Sequence, residues 1–130
     1  MAAVPVSGRG VSATRSVTTS LRDRLGAYVA AGGNLLLSGS HVASHLAGGD
    51  ASDQAFLSTE LWTSAAPGTA SSGGTPTAGG LLDGVGAFDL HDGTTGYAVG
   101  DSDVITGATG AVDMVGYTDS AGPAAVHSPG

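Results

Sequence analysis

The 130-residue chain carries 11 Asp and Glu against 4 Arg and no Lys, a formal net charge of -7, so it lacks the basic footprint that nucleic acid or an anionic membrane surface requires. It has no cysteine, which excludes disulfides, thiolate metal sites and thiol nucleophiles. Its 41% of hydrophobic residues include only 1 Trp, 2 Phe, 3 Tyr and 2 Met, so a core of Leu, Val and Ala is thin and fits a single domain of modest stability.

Residues 2–6, AAVPV, suit a short edge or terminal strand, because Pro5 removes a ladder donor. The start MAAVPVSGRG shows neither the basic residues nor the apolar run of a signal peptide. No apolar run approaches the roughly 20 residues of a membrane span. After a polar, glycine-bearing loop, Val17, Leu21, Leu25, Tyr28 and Val29 follow the rhythm of an amphipathic helix. Ser16 is its expected N-cap, Arg15, Arg22, Asp23 and Arg24 its wet face, and Gly32-Gly33 its stop.

The next stretch, NLLLSGS, is short, apolar in its middle and bounded by glycine. It predicts a strand buried on both faces, as in a parallel sheet, with a turn at Ser38, Gly39 and Ser40. His41 to Leu46 predict a second helix ended by Gly48-Gly49, and Asp53 is the expected cap of a third that turns Phe56, Leu57, Leu61 and Trp62 inward. Residues 63–80 are rich in Gly, Ser, Thr, Ala and Pro and read as a flexible loop. Beyond them LLDGVGAFDL, GYAV, SDVITG, AVDMVGYT and PAAVHS predict short strands and turns, with no helix after about residue 64.

The order L..YVAAGGNLLLSGS, D..FL...L, GLLDGVGAFDL, GY.V...DVITG and AV.M.GY....AAV resembles a module of large secreted or surface bacterial proteins, xanthan lyase-like or N-acetylmuramoyl-L-alanine amidase-like. Such modules occur beside golvesin-C-terminal-like or fibronectin type III domains. The module is similar to flavodoxin-like domains of the class I glutamine amidotransferase-like superfamily, and the similarity spans roughly residues 17 to 127. It implies an α/β, three-layer, flavodoxin-like domain with a mostly parallel sheet and a β-rich C-terminal half. It also implies an extracellular or cell-surface setting, neighbouring domains of a longer chain as partners, and polysaccharide or cell wall as the surface it faces. Two departures, the missing acidic motif near the start and the missing final strand, lead us to expect a fragment truncated at both ends.

In that superfamily the nucleophile sits at a strained turn from strand to helix, where backbone N–H groups stabilise an oxyanion. Ser40 falls at that place with His41 beside it, and these two are the candidate catalytic residues. The G-x-S-x-G pattern is absent, and a serine needs a base where the superfamily has a thiolate. The bland alternative is that Ser38 or Ser40 caps the helix. His41 and His45, four apart, can share a metal with Asp50 or Asp53, but two ligands are not a site. His91 and His127 read as incidental, and Asp89, Asp92, Asp101 and Asp103 as turn or strand-end residues with calcium as the alternative. No metal and no cofactor is expected. The favoured function is a non-catalytic structural or binding module; the alternative is a serine-dependent hydrolase of an ester, amide or glycan-linked substrate.

Overall fold

The computed structural model describes residues 17–39, 41–67, 73–89, 102–118 and 122–127. The expectations placed on residues 2–6, Ser40 and GYAV lie outside them.

Helix α1, Thr19–Ala30, takes Thr18 and not the expected Ser16 as its N-cap, and the Thr18 hydroxyl accepts from the Leu21 N–H. It ends where predicted. Gly32 turns left-handed at φ 84, the Gly33 N–H reaches back to the Tyr28 carbonyl and the Gly32 N–H to that of Val29. This pairing closes a helix end by satisfying carbonyls that have no partner within the helix.

Helix α2, Val42–Ala47, is short and stops at Gly48. Helix α3, Ala51–Ala55, begins at Asp50 rather than at Asp53. Asp50 accepts from the Ser52 and Asp53 N–H groups, and the Asp53 carboxylate accepts from the Asp50 N–H in return. Such a reciprocal box needs both acids, and only one of them can stand before the helix. A single π-helical turn, Phe56–Glu60, follows without a break. It buries Phe56 and Leu57, while Trp62, expected inside, is 38% exposed with its backbone at φ 51.

The helices close on one apolar cluster: Val17, Leu25, Val42, Ala43, Leu46, Phe56 and Leu57. Leu35 and Leu37 pack against it, but Leu36 between them is 56% exposed. Residues 34–38 thus alternate like a strand with one buried face, and they pair with no other strand among the described residues. A run of three leucines does not distinguish a strand buried on both faces from a segment buried on one.

The strands begin at residue 63. β1 (Thr63–Pro67) pairs with β4 (Asp103–Gly107), and β3 (Phe88–Asp89), β2 (Gly73–Pro76), β5 (Val112–Tyr117) and β6 (Pro123–His127) form a second sheet in that order. Every pairing is antiparallel. This overturns the expected three-layer, flavodoxin-like fold with a mostly parallel sheet. A parallel sheet needs helical crossovers between its strands, and here all the described helices precede all the strands.

The stretch 63–80 is also corrected, since it contains two strands, Thr63–Pro67 and Gly73–Pro76. Its glycines serve packing: a Cβ on Gly74 would lie 2.7 Å from the Phe88 ring and 2.9 Å from Val115. Ala65 of β1 and Ile105 of β4 pack on the helical cluster and join the first sheet to it.

Candidate functional site

The elbow before α2 is built from a short segment and a distant acid. Gly39 is exposed and His41 takes the left-handed conformation at φ 61 and ψ 12, rare for a residue with a Cβ. The hydroxyl of Ser44 donates to the His41 carbonyl at 3.3 Å. His41 itself makes no side-chain cap. That part falls to Asp103, sixty residues beyond Ala43 and the first residue of β4.

One oxygen of Asp103, Oδ2, accepts from the backbone N–H of Ala43 at 2.9 Å and of Ser44 at 3.1 Å. These are two of the first N–H groups of α2, which have no partner within the helix. Asp103 is buried, and its backbone carbonyl accepts from the Tyr117 hydroxyl of β5 at 2.9 Å. The acid therefore ties α2 to β4, and the tyrosine ties β4 to the second sheet.

The other oxygen, Oδ1, is buried and has no hydrogen bond among the described residues, and the nearest cationic or imidazole nitrogen described is His41 Nδ1 at 4.0 Å. That distance is too long for a hydrogen bond. The His41 side chain is 43% exposed, and its ring centroid lies 6.2 Å from that of His45.

A second polar cluster sits on α1. Arg22, expected on the wet face, is buried. Its guanidinium donates to Asp53 at 2.7 Å, to Asp50 at 3.3 Å and to Asp23 at 2.9 and 3.1 Å. The hydrogen bond to Asp53, then that to Asp23, raise the Arg22 pKa above its ordinary value. A buried guanidinium needs such carboxylates to balance its lost hydration. A shallow depression of about 400 Å³ lies beside it, with Phe56, Thr59 and Glu60 among its lining.

The structure thus brings together only part of the predicted site. Ser40, His91, Asp92 and Asp101 lie outside the described residues. His127 is exposed at the end of β6, and Asp89 is exposed in β3. Asp50 and Asp53 face Arg22 and the α3 capping box, and among the described residues no three His, Asp or Glu side chains gather as metal ligands. Nor is any described helix long and apolar enough to cross a membrane. Sequence reasoning missed the buried Arg22 and the capping by Asp103. An arginine beside an aspartate in a helix gives no sign of which face it takes, and a cap supplied from sixty residues away leaves no local pattern.

Comparison with protein families, with curated proteins and with solved structures finds no match to this chain.

Proposed function

We propose that the chain is a non-catalytic structural or binding module. The observation that carries this reading is the position of the Asp103 carboxylate across the start of α2. An acyl-transfer elbow needs N–H groups aimed at a developing oxyanion. Here the Ala43 and Ser44 N–H groups already hold a fixed anion, which would repel a second one. The elbow is thereby a joint: it fastens a helix to a strand and leaves those donors with nothing further to stabilise. The extracellular setting, with polysaccharide or cell wall as the surface faced and further domains as neighbours, comes with the family resemblance and is proposed on that footing alone.

One distance favours a second reading. His41 Nδ1 stands 4.0 Å from the buried Asp103 Oδ1, so an approach of about 1 Å would form the hydrogen bond by which an acid orients an imidazole as base. With Ser40 as nucleophile this gives a serine hydrolase of an ester, amide or glycan-linked substrate. A fluorophosphonate probe decides between the two. The non-catalytic reading expects no adduct on the folded protein. Labelling of Ser40 that disappears in both Ser40→Ala and His41→Ala would overturn it.

A further inference from the structure

The joint at Asp103 is only half closed. Its Oδ2 holds the start of α2, while its Oδ1 is buried with no hydrogen bond among the described residues. A buried carboxylate oxygen left unpaired carries a cost that an arriving donor removes. The donor at hand is His41, whose Nδ1 stands 4.0 Å away on a side chain that is 43% exposed. Solvent protons therefore reach the ring, and about 1 Å of motion brings it to hydrogen-bond distance.

We infer that His41 is a pH-sensitive latch on this joint: on taking up a proton its imidazolium closes onto Asp103 Oδ1 and fastens α2 to β4. A neutral imidazole has one N–H and one bare lone pair, whereas the protonated ring donates from both nitrogens. Its charge also faces a buried carboxylate, and hydrogen bonds between ionised groups are the stronger kind. The latch rests on the elbow being a joint and adds a condition to it.

The other charges described around α2 are engaged elsewhere. β1, α3, the π-helical turn and β4 pack against this helix. β1 has no titratable side chain. Asp50 and Asp53, at the start of α3, bind Arg22, and Glu60 of the π-helical turn lines the depression beside that arginine. β4 contributes Asp103 itself, whose backbone carbonyl takes the Tyr117 hydroxyl. On α2, His45 is exposed and its ring centroid lies 6.2 Å from that of His41, so water weakens any repulsion between the two rings.

A proton held more firmly by the folded protein than by the unfolded chain raises stability as pH falls. The gain is complete below the free-imidazole value of about 6.5 and is lost as pH rises beyond it. Urea unfolding at about pH 5.5 and 8 tests this with His41→Asn, since asparagine accepts a left-handed backbone and takes up no proton. The folding constant of the wild type relative to His41→Asn should rise about tenfold from the higher pH to the lower, as a charged hydrogen bond replaces a weaker contact. NMR at the lower pH should show the His41 Nδ1 proton protected from exchange in the wild type but not in Asp103→Asn. A ratio that does not change with pH overturns the latch, as does an Nδ1 proton still protected in Asp103→Asn. So does a pH-dependent gain that disappears in His45→Gln and persists in His41→Asn. Failure of the joint reads differently: Asp103→Ala would be as stable as the wild type at the higher pH, where the latch is open, and the latch would fall with it.

Discussion

The helical part of the molecule and its strand part are held by different physics. In residues 17–61 seven apolar side chains form a buried cluster, and a buried arginine is matched by carboxylates. Among the described residues from 63 onward, Val115 is the buried apolar side chain, and Phe88 and Val112 are exposed. The strand part depends on its antiparallel ladders and on two attachments to the helices: Ala65 and Ile105 on the apolar cluster, and Asp103 on α2. Apolar burial contributes stability in proportion to area, whereas a hydrogen bond exchanged with water contributes little net. The helical part should therefore carry most of the stability, and the strand part should depend on it.

The sharpest way to break that comparison is a matched pair of substitutions. Phe56 is 4% exposed and Phe88 is 40% exposed. Phe56→Ala should cost about 3–5 kcal/mol, as phenylalanine deletions in cores do, and Phe88→Ala clearly less. Urea unfolding of the two variants reads the difference directly. Equal losses would mean that the strands hold themselves as firmly as the helices do.

Next in size is the buried charge. Arg22→Met strands the buried Asp53 carboxylate without its guanidinium, while Arg24→Met removes an exposed charge, so the first should be clearly destabilising and the second close to neutral. The Arg22 pKa is raised on folding. The contribution linked to that shift is thus fully present below the unfolded guanidinium value and is lost only as pH rises through the folded one. Thermal unfolding from pH 6 to 9 should show no loss traceable to this group. A wild-type advantage over Arg22→Met that fades across that range would contradict the ion-pair account.

The strand part has its own sensitive point at Gly74. An added Cβ would press on the Phe88 ring and Val115 at 2.7 and 2.9 Å, so Gly74→Ala should cost about 1–3 kcal/mol by overpacking. If calorimetry shows the loss in one transition with the helices, the two parts unfold together. A separate early transition would divide them.

The link between the parts is tested at Asp103. Asp103→Ala removes the acceptor for the Ala43 and Ser44 N–H groups and should cost about 0.5–2 kcal/mol, the range for a lost cap. Asp103→Asn keeps an acceptor oxygen and should lose less. An alanine variant as stable as wild type would show that α2 is not fastened through this carboxylate.

How far the sequence revealed this arrangement depends on the range of the interaction. Helix α1 was legible because its apolar spacing and its Gly32-Gly33 stop act within a few residues, and the strands at DVITG and VDMVGY were legible from their β-branched residues. The sheet order was not, since NLLLSGS invites a parallel strand whereas the pairings among the described residues are all antiparallel. Strand β2, GGTP, was hidden because glycine reads as loop, although the Phe88 ring requires it. At the elbow, the turn after Gly39 could be read locally. The acid that completes it could not, because Asp103 meets Ala43 only through the fold.

The smallest effect concerns the boundary between the cluster and the open segment that follows it. Gly32 is left-handed, and a Cβ there would meet nothing within 4 Å. Gly32→Ala therefore probes backbone conformation alone. The left-handed penalty for a residue with a side chain is roughly 1–2 kcal/mol, and the restriction of the unfolded chain returns about 0.4–1 kcal/mol. The net loss should lie between about 0 and 1.6 kcal/mol, seen as a small drop in the urea midpoint with an unchanged slope. A stabilising Gly32→Ala would mean that α1 runs past its present end, and Leu35 and Leu37 would then leave the core face on which the one-sided burial of residues 34–38 depends.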